Sequence, residues 1–224
     1  DRRVIEASPL IWQPILRGII LNTRPKKSAK AYAKIWRQES DESPLRYYTR
    51  RQAEALQEVL GDGVQVDYAM RYGAPSIEDK IDAMKKAGCE RISIMALYPQ
   101  YSATTSASVY DEVFRTLLKL RWQPAVRTAA PWHDHPAYIE ALAQSVTAHI
   151  DTLDWKPEVI IASFHGLPQA YFDKGDPYHC HCAKTARLLR EKLGMDETQL
   201  KLTFQSRFGP TQWLQPYTDK TGVE

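Results

Sequence analysis

The chain is poor in cysteine, with only Cys89, Cys180 and Cys182 among 224 residues. Three thiols cannot pair completely, and nothing points to secretion, so the expectation is a reducing, cytoplasmic setting. Long apolar runs are missing as well. None approaches the roughly 20 residues that cross a bilayer, and Asp1-Arg2-Arg3 leads into no signal-peptide core. An excess of one charge is nearly absent: the formal net charge is +3, too small to expect a nucleic acid partner. There is no low-complexity tract and no solenoid period. What remains has an ordinary globular composition, 43% hydrophobic and 25% charged with mean hydropathy −0.48. Its length suits one large domain or two small ones.

The periodicities alternate. Ser28 to Trp36 reads as a helix carrying Tyr32. Thr49 and Gln52 form a capping-box pattern before Ala53, Leu56 and Val59, and Gly61-Asp62-Gly63 ends that helix. Val64 to Tyr68 alternates as a strand does. Ser76 and Asp79 cap a helix bearing Ile77, Ile81 and Met84, stopped by Gly88. Strands are predicted at 91–97 and 125–129, with a helical stripe at Val109, Val113 and Leu117 between them. Asp134 opens a helix with Ile139, Leu142, Val146 and Ile150. After Pro157 come an apolar strand ending at His165, a helix from about Cys182 to Leu193 closed by Gly194, and a strand from Leu200 to Gln205. Such alternation predicts an α/β fold with parallel sheets.

Charge is unevenly placed. Between residues 1 and 51, twelve Lys and Arg face five acids. The apolar segment 15–21 adjoins Arg24-Pro25-Lys26-Lys27, a pattern that suits either a lip meeting an anionic ligand or membrane surface, or a solvated basic face over a core helix.

The densest signal is Ser163-Phe164-His165-Gly166-Leu167-Pro168, directly after Val159-Ile160-Ile161-Ala162. A buried strand there would put His165 at the carboxyl edge of a parallel sheet, where ligands bind. An imidazole at that edge takes a proton or holds a metal near neutral pH. The competing reading is a core histidine bonded to a backbone carbonyl. Further on come Gly175-Asp176-Pro177-Tyr178, Gln205-Ser206-Arg207-Phe208-Gly209 and Trp213-Leu214-Gln215-Pro216. Together with Ser43-Pro44-Leu45, Met70-Arg71-Tyr72-Gly73 and Leu97-Tyr98-Pro99-Gln100-Tyr101-Ser102, these motifs resemble the ferrochelatase family over essentially the whole chain. That family inserts ferrous iron into a porphyrin to form haem.

The resemblance implies two Rossmann-like lobes around a porphyrin cleft. Residues 1–156 would be the first lobe, and 157–224 an incomplete second lobe carrying His165. It implies truncation at both ends, without the loop bearing a glutamate that faces the histidine. Its substrates would be Fe²⁺ and a porphyrin, with no organic cofactor. His165 matches the catalytic and metal-site histidine. Tyr32, Arg24, Lys27, Ser43 and Tyr110 match or neighbour porphyrin-pocket positions, each with a structural alternative as cap, core aromatic or solvated charge. Some members carry a [2Fe–2S] cluster on four cysteines, which three cysteines cannot complete, so none is expected. The resemblance also allows peripheral contact with the inner membrane. Coproporphyrin instead of protoporphyrin, or an inactive tetrapyrrole-binding fragment, stays open.

Two features have separate readings. His179-Cys180-His181-Cys182 offers four metal-ligand types but lacks structural-zinc spacing. On a strand Cys180 and Cys182 would share a face, whereas at a helix start they would diverge. Asp173 and Asp176 read as turn residues rather than as the missing carboxylate.

Overall fold

The computed structural model describes residues 1–6, 8–207 and 209–222; Phe208 of the Gln205–Gly209 motif lies outside the described residues. The chain folds as two compact units, Asp1–Ile92 with Ser108–Arg127 and Ser93–Ala107 with Thr128–Glu224. The expected lobe boundary at residue 157 falls within the second of these.

The first unit opens on one long helical run. Helix α1 (Pro9–Ile15) passes through a π-helical turn at Leu16–Ile20 into α2 (Leu21–Ala33). The widened turn lies between Pro14 and Pro25, each of which removes a donor from the ladder. The helix expected at Ser28–Trp36 thus starts upstream and stops at Ala33, while the Trp36 indole donates to Asp41 at 2.9 Å. Helix α3 (Pro44–Leu60) is capped by Ser43, whose hydroxyl accepts from the Arg46 N–H at 3.2 Å. This corrects the capping box expected at Thr49. Pro44 at the first helical position costs no hydrogen bond, because that N–H is orphaned in any helix. Thr49 instead donates its hydroxyl to the Leu45 carbonyl at 2.7 Å.

The strand expected at Val64–Tyr68 does not form a ladder. Its polar groups turn to a side chain: Gln57 accepts from the Val66 N–H at 2.7 Å and donates to the Val64 carbonyl at 2.9 Å. Alternation marks a half-buried extended segment, but a strand also needs a partner. Helix α4 (Ile77–Lys86) matches its prediction. Ser76 caps it through Asp79 N–H at 3.1 Å, and Gly88 follows with φ +88°. Ile77, Ile81 and Val113 are buried in this unit.

Strand β1 (Arg91–Ile94), helix α5 (Ser106–Leu118) and strand β2 (Ala125–Thr128) each cross the division between the units. β1 and β2 pair in parallel: Ala125 donates to the Glu90 carbonyl, and Ala129 to that of Ile94, both at 2.8 Å.

The second unit continues with α6 (Pro136–Ile150), β3 (Ile160–His165), α7 (Gln169–Asp173), α8 (Tyr178–Leu193), β4 (Leu200–Gln205) and α9 (Thr218–Thr221). The α6 cap is His135 rather than Asp134, with its Nδ1 accepting from the Ala137 N–H at 3.3 Å. α8 begins four residues earlier than expected, because Asp176 takes the Tyr178 N–H at 3.0 Å and so satisfies an orphan donor of the first turn. Gly194 closes it in the left-handed region at φ +66°.

β3 and β4 run parallel from Ile160 opposite Leu200 to His165 opposite Gln205. α6 and α8 cover one face, where Ala143, Ala186, Leu189 and Leu200 form a core with Leu142 and Phe164 against it. A second cluster joins Cys182, Phe204 and Leu214. The apolar run before His165 is therefore not buried throughout. Ile161, Ser163 and His165 stay exposed on alternate positions: α6 and α8 cover the opposite face, while their own face meets the short α9, whose Thr218 hydroxyl lies 3.0 Å from that of Ser163 and donates to that of Thr203 at 2.8 Å.

Candidate functional site

His165 closes β3, and the chain turns sharply after it. Gly166 extends the ladder by one bond, its N–H donating to the Gln205 carbonyl at 2.7 Å. The turn needs glycine: a Cβ at 166 would lie 2.8 Å from that carbonyl oxygen and 3.4 Å from Trp213 Cε3. Trp213 is buried, and it forms an antiparallel bridge with Pro168. It thus serves as the packing post beneath the turn.

His165 itself is exposed, and its Nδ1 lies 2.7 Å from the Gly166 carbonyl. A carbonyl only accepts, so Nδ1 carries the proton and Nε2 presents a lone pair. The bond to a backbone carbonyl expected of a core histidine is present, but the burial is not. A neutral Nε2 can take a proton or coordinate a metal ion.

Behind this turn stands Tyr178, in the first turn of α8. Its phenol meets the main chain of His165 and the thiol of Cys182, and burial drives its pKa far up. Cys182 is fully buried. Burial pushes its thiol up to about 12, against a lowering contribution from Tyr178, so it stays a neutral packing group. Cys180 is exposed. The two cysteines diverge, as a helix start requires, and His179 stacks on Phe204 at 5.4 Å between centroids. Among the described residues no group of three His, Cys, Asp or Glu side chains is placed to hold a metal ion.

Asp176 is a strut. One carboxylate oxygen accepts from Ser102 Oγ at 2.9 Å and the Ala103 N–H at 2.8 Å, and the other from Tyr178. Its sequence reading as a turn residue holds, but Ser102 and Ala103 lie some seventy residues away and were not legible as its partners. Tyr178 was also missed as a support. A usable signal existed, since 178, 182, 185, 186 and 189 follow helical spacing on one face.

The other expected site residues lie in the first unit. Arg24, Lys27 and Tyr32 ride on α2, all exposed, with the two cations three residues apart on one face. Ser43 spends its hydroxyl as the α3 cap, and Tyr110 is half-buried on α5. The structure brings Arg24, Lys27 and Tyr32 onto one helix; His165 belongs to the other unit.

A family model described as ferrochelatase matches residues 1–224. The ferrochelatase of Rhizobium meliloti (strain 1021) is 61% identical over 223 residues, which is 99% of this chain and 66% of the relative. That of Agrobacterium fabrum (strain C58 / ATCC 33970) is 62% identical over 99% of this chain and 65% of its own length. That of Brucella anthropi is 58% identical over all of this chain and 65% of the relative. The chain spans about two thirds of the length of the curated relatives it matches. A match from the first residue to the last, centred on a histidine turn built as described, means that this chain belongs to the ferrochelatase family.

Proposed function

We propose that the protein inserts ferrous iron into protoporphyrin IX, giving protohaem and two protons, and that His165 is the group that receives pyrrole protons or hands over the metal. The observation that carries this reading is the His165 turn. An imidazole with one nitrogen tied to its own backbone presents the other as a lone pair at a sheet edge, in a chain of this family. Porphyrin metallation needs such a base, because two N–H protons must leave as the ion enters. Peripheral binding energy would bend the ring to expose its lone pairs.

In this proposal Arg24 and Lys27 meet the propionates, and Tyr32, Ser43 and Tyr110 line the porphyrin pocket. The lobe boundary near residue 157 and a cytoplasmic location belong to the same reading. So does peripheral membrane contact through the helical run. Leu10, Ile11, Ile19 and Leu21 stand exposed there beside basic residues, the pattern of an interfacial helix. No described helix is long and apolar enough to cross a membrane.

The test is anaerobic insertion of Fe²⁺, or of Zn²⁺ as a robust stand-in, into protoporphyrin, followed by absorbance. His165→Ala is expected to abolish turnover while porphyrin binding persists, because the base is lost and the pocket kept. Near-wild-type turnover in that variant would remove His165 from the reaction.

A further inference from the structure

Buried polar side chains gather at a second place in the second unit. Gln100 and Ser102 lie in the loop after β1, His133 just before α6, and Thr185 in the second turn of α8; none exceeds 8% exposure. Polar groups persist inside a protein when they satisfy one another. Gln100 Nε2 donates to Thr185 Oγ1 at 3.0 Å, and that hydroxyl donates to the His133 carbonyl at 2.8 Å. Ser102 and Ala103 both donate to Asp176. Tyr101 completes the fastening, its N–H donating to His181 Nδ1 at 3.1 Å.

The His181 ring lies flat on that of His133, with centroids 3.7 Å apart and planes 9° from parallel. A ring nitrogen that accepts from a backbone N–H carries no proton, so His181 is the neutral Nε2–H tautomer. Protonation would set one N–H against another at Tyr101. Charging both rings would place two cations face to face. His133 Nδ1 is buried with no hydrogen-bond partner among the described residues, and the Asp134 carboxylate stands 4.0 Å from it.

The charged groups facing the pair oppose one another. Asp134 favours protonation but is held in an ion pair with Lys184 at 2.5 Å, and that ammonium disfavours it. Asp176 favours the charged form of His181 from the loop before α8, while spending its oxygens on three hydrogen bonds. Burial dominates and lowers both imidazoles from their ordinary 6.5, with mutual repulsion lowering His133 further.

We propose that His181 is a positioning residue: stacked on His133 as a neutral imidazole, it pins the loop Pro99–Thr105 to the first turns of α8, and it lets go when its own ring takes up a proton. Those turns also carry Tyr178, which backs the main chain of His165. The link to catalysis rests on the reading of His165 given above, whereas the latch itself does not.

Amide hydrogen exchange on the intact chain tests it, with protection factors taken relative to intrinsic rates at pH 8 and pH 5. The Tyr101 amide is expected to lose about fivefold or more of its protection at the lower pH, the worth of one ordinary hydrogen bond. Ala103, whose N–H goes to Asp176, serves as the internal reference. His181→Asn puts an amide oxygen near the place of Nδ1 and cannot be protonated, so its Tyr101 protection should not vary with pH. His181→Phe keeps the stack without the acceptor and should leave Tyr101 poorly protected at both values. If His181→Phe fails to fold, the wild-type titration and His181→Asn still decide. Equal protection of Tyr101 at both pH values in the wild type, or an undiminished fall in His181→Asn, would overturn the proposal. Amide exchange needs neither porphyrin nor metal, so a failed insertion assay would count against His165 and leave the latch standing.

Discussion

Replacing Gly166 with alanine loads the turn after His165 at its tightest point. The added Cβ would sit 2.8 Å from the Gln205 carbonyl oxygen, where ordinary contact begins near 3.4 Å, so the ends of β3 and β4 would have to part by about 0.6 Å. Little there can yield. The carbonyl is held in the ladder by the Gly166 N–H at 2.7 Å, and the buried Trp213 ring closes the other side at 3.4 Å. Overpacking of this kind costs about 1–3 kcal/mol. With an m-value of about 2 kcal/mol per molar urea, a loss of 2 kcal/mol moves the unfolding midpoint down by about 1 M. Tryptophan fluorescence would report it, Trp213 lying at the site itself. Under the proposed role of His165, the same displacement would tilt the imidazole away from the reacting ring, and misplacements on this scale cost about tenfold or more in rate. A midpoint within about 0.2 M of wild type would refute the account of the turn and, with it, the claim that Gly166 sets the aim of His165.

Other expectations follow from the same geometry. Ser43→Ala removes the α3 cap and should cost about 1 kcal/mol in urea unfolding, whereas Ser43→Asp restores the acceptor and the stability; equal losses in both would deny the capping role. With a thiol reagent at pH 8, Cys180 should react in the folded chain and Cys182 only after denaturation, as full burial and a thiol pushed up to about 12 require. Rapid labelling of Cys182 in the native state would contradict the packing of α8. Acidification should weaken the fold from about pH 6.5 downward. Imidazoles held below their ordinary value bind fewer protons folded than unfolded, so stability is complete above that pH and falls towards the depressed folded values. Urea midpoints that stay level between pH 7.5 and pH 5.5 would remove His133 and His181 from the balance.

Much of the fold was legible because the signals are short-range. Ser76 with Asp79, Gly88, Gly194 and the stripe at Ile77 and Ile81 act within a turn or two of their own helices, and β4 was bounded to the residue. The misreadings share a cause. Thr49 shows a capping pattern, but the Ser43-Pro44 start lies one turn and a half upstream and wins. Val64–Tyr68 alternates, but an alternating segment becomes a strand only when another backbone accepts its hydrogen bonds, and Gln57 takes them here.

The motif at residues 179–182 shows the same limit at the site. Its composition suggested metal ligands, and only the helix register sends Cys180 outward, Cys182 into the core and His181 onto a ring that is 48 positions earlier in the chain. By itself the sequence determined the family, the α/β alternation, the place of His165 at a strand end and the glycine after it. Tertiary structure decided the tautomer of His165, the support from Tyr178, and the fastening of the Tyr101 loop by Asp176 and His181. Caps and periodicities are properties of neighbouring residues. Hydrogen bonds between segments some eighty residues apart exist only once the helices have packed and excluded water from between them.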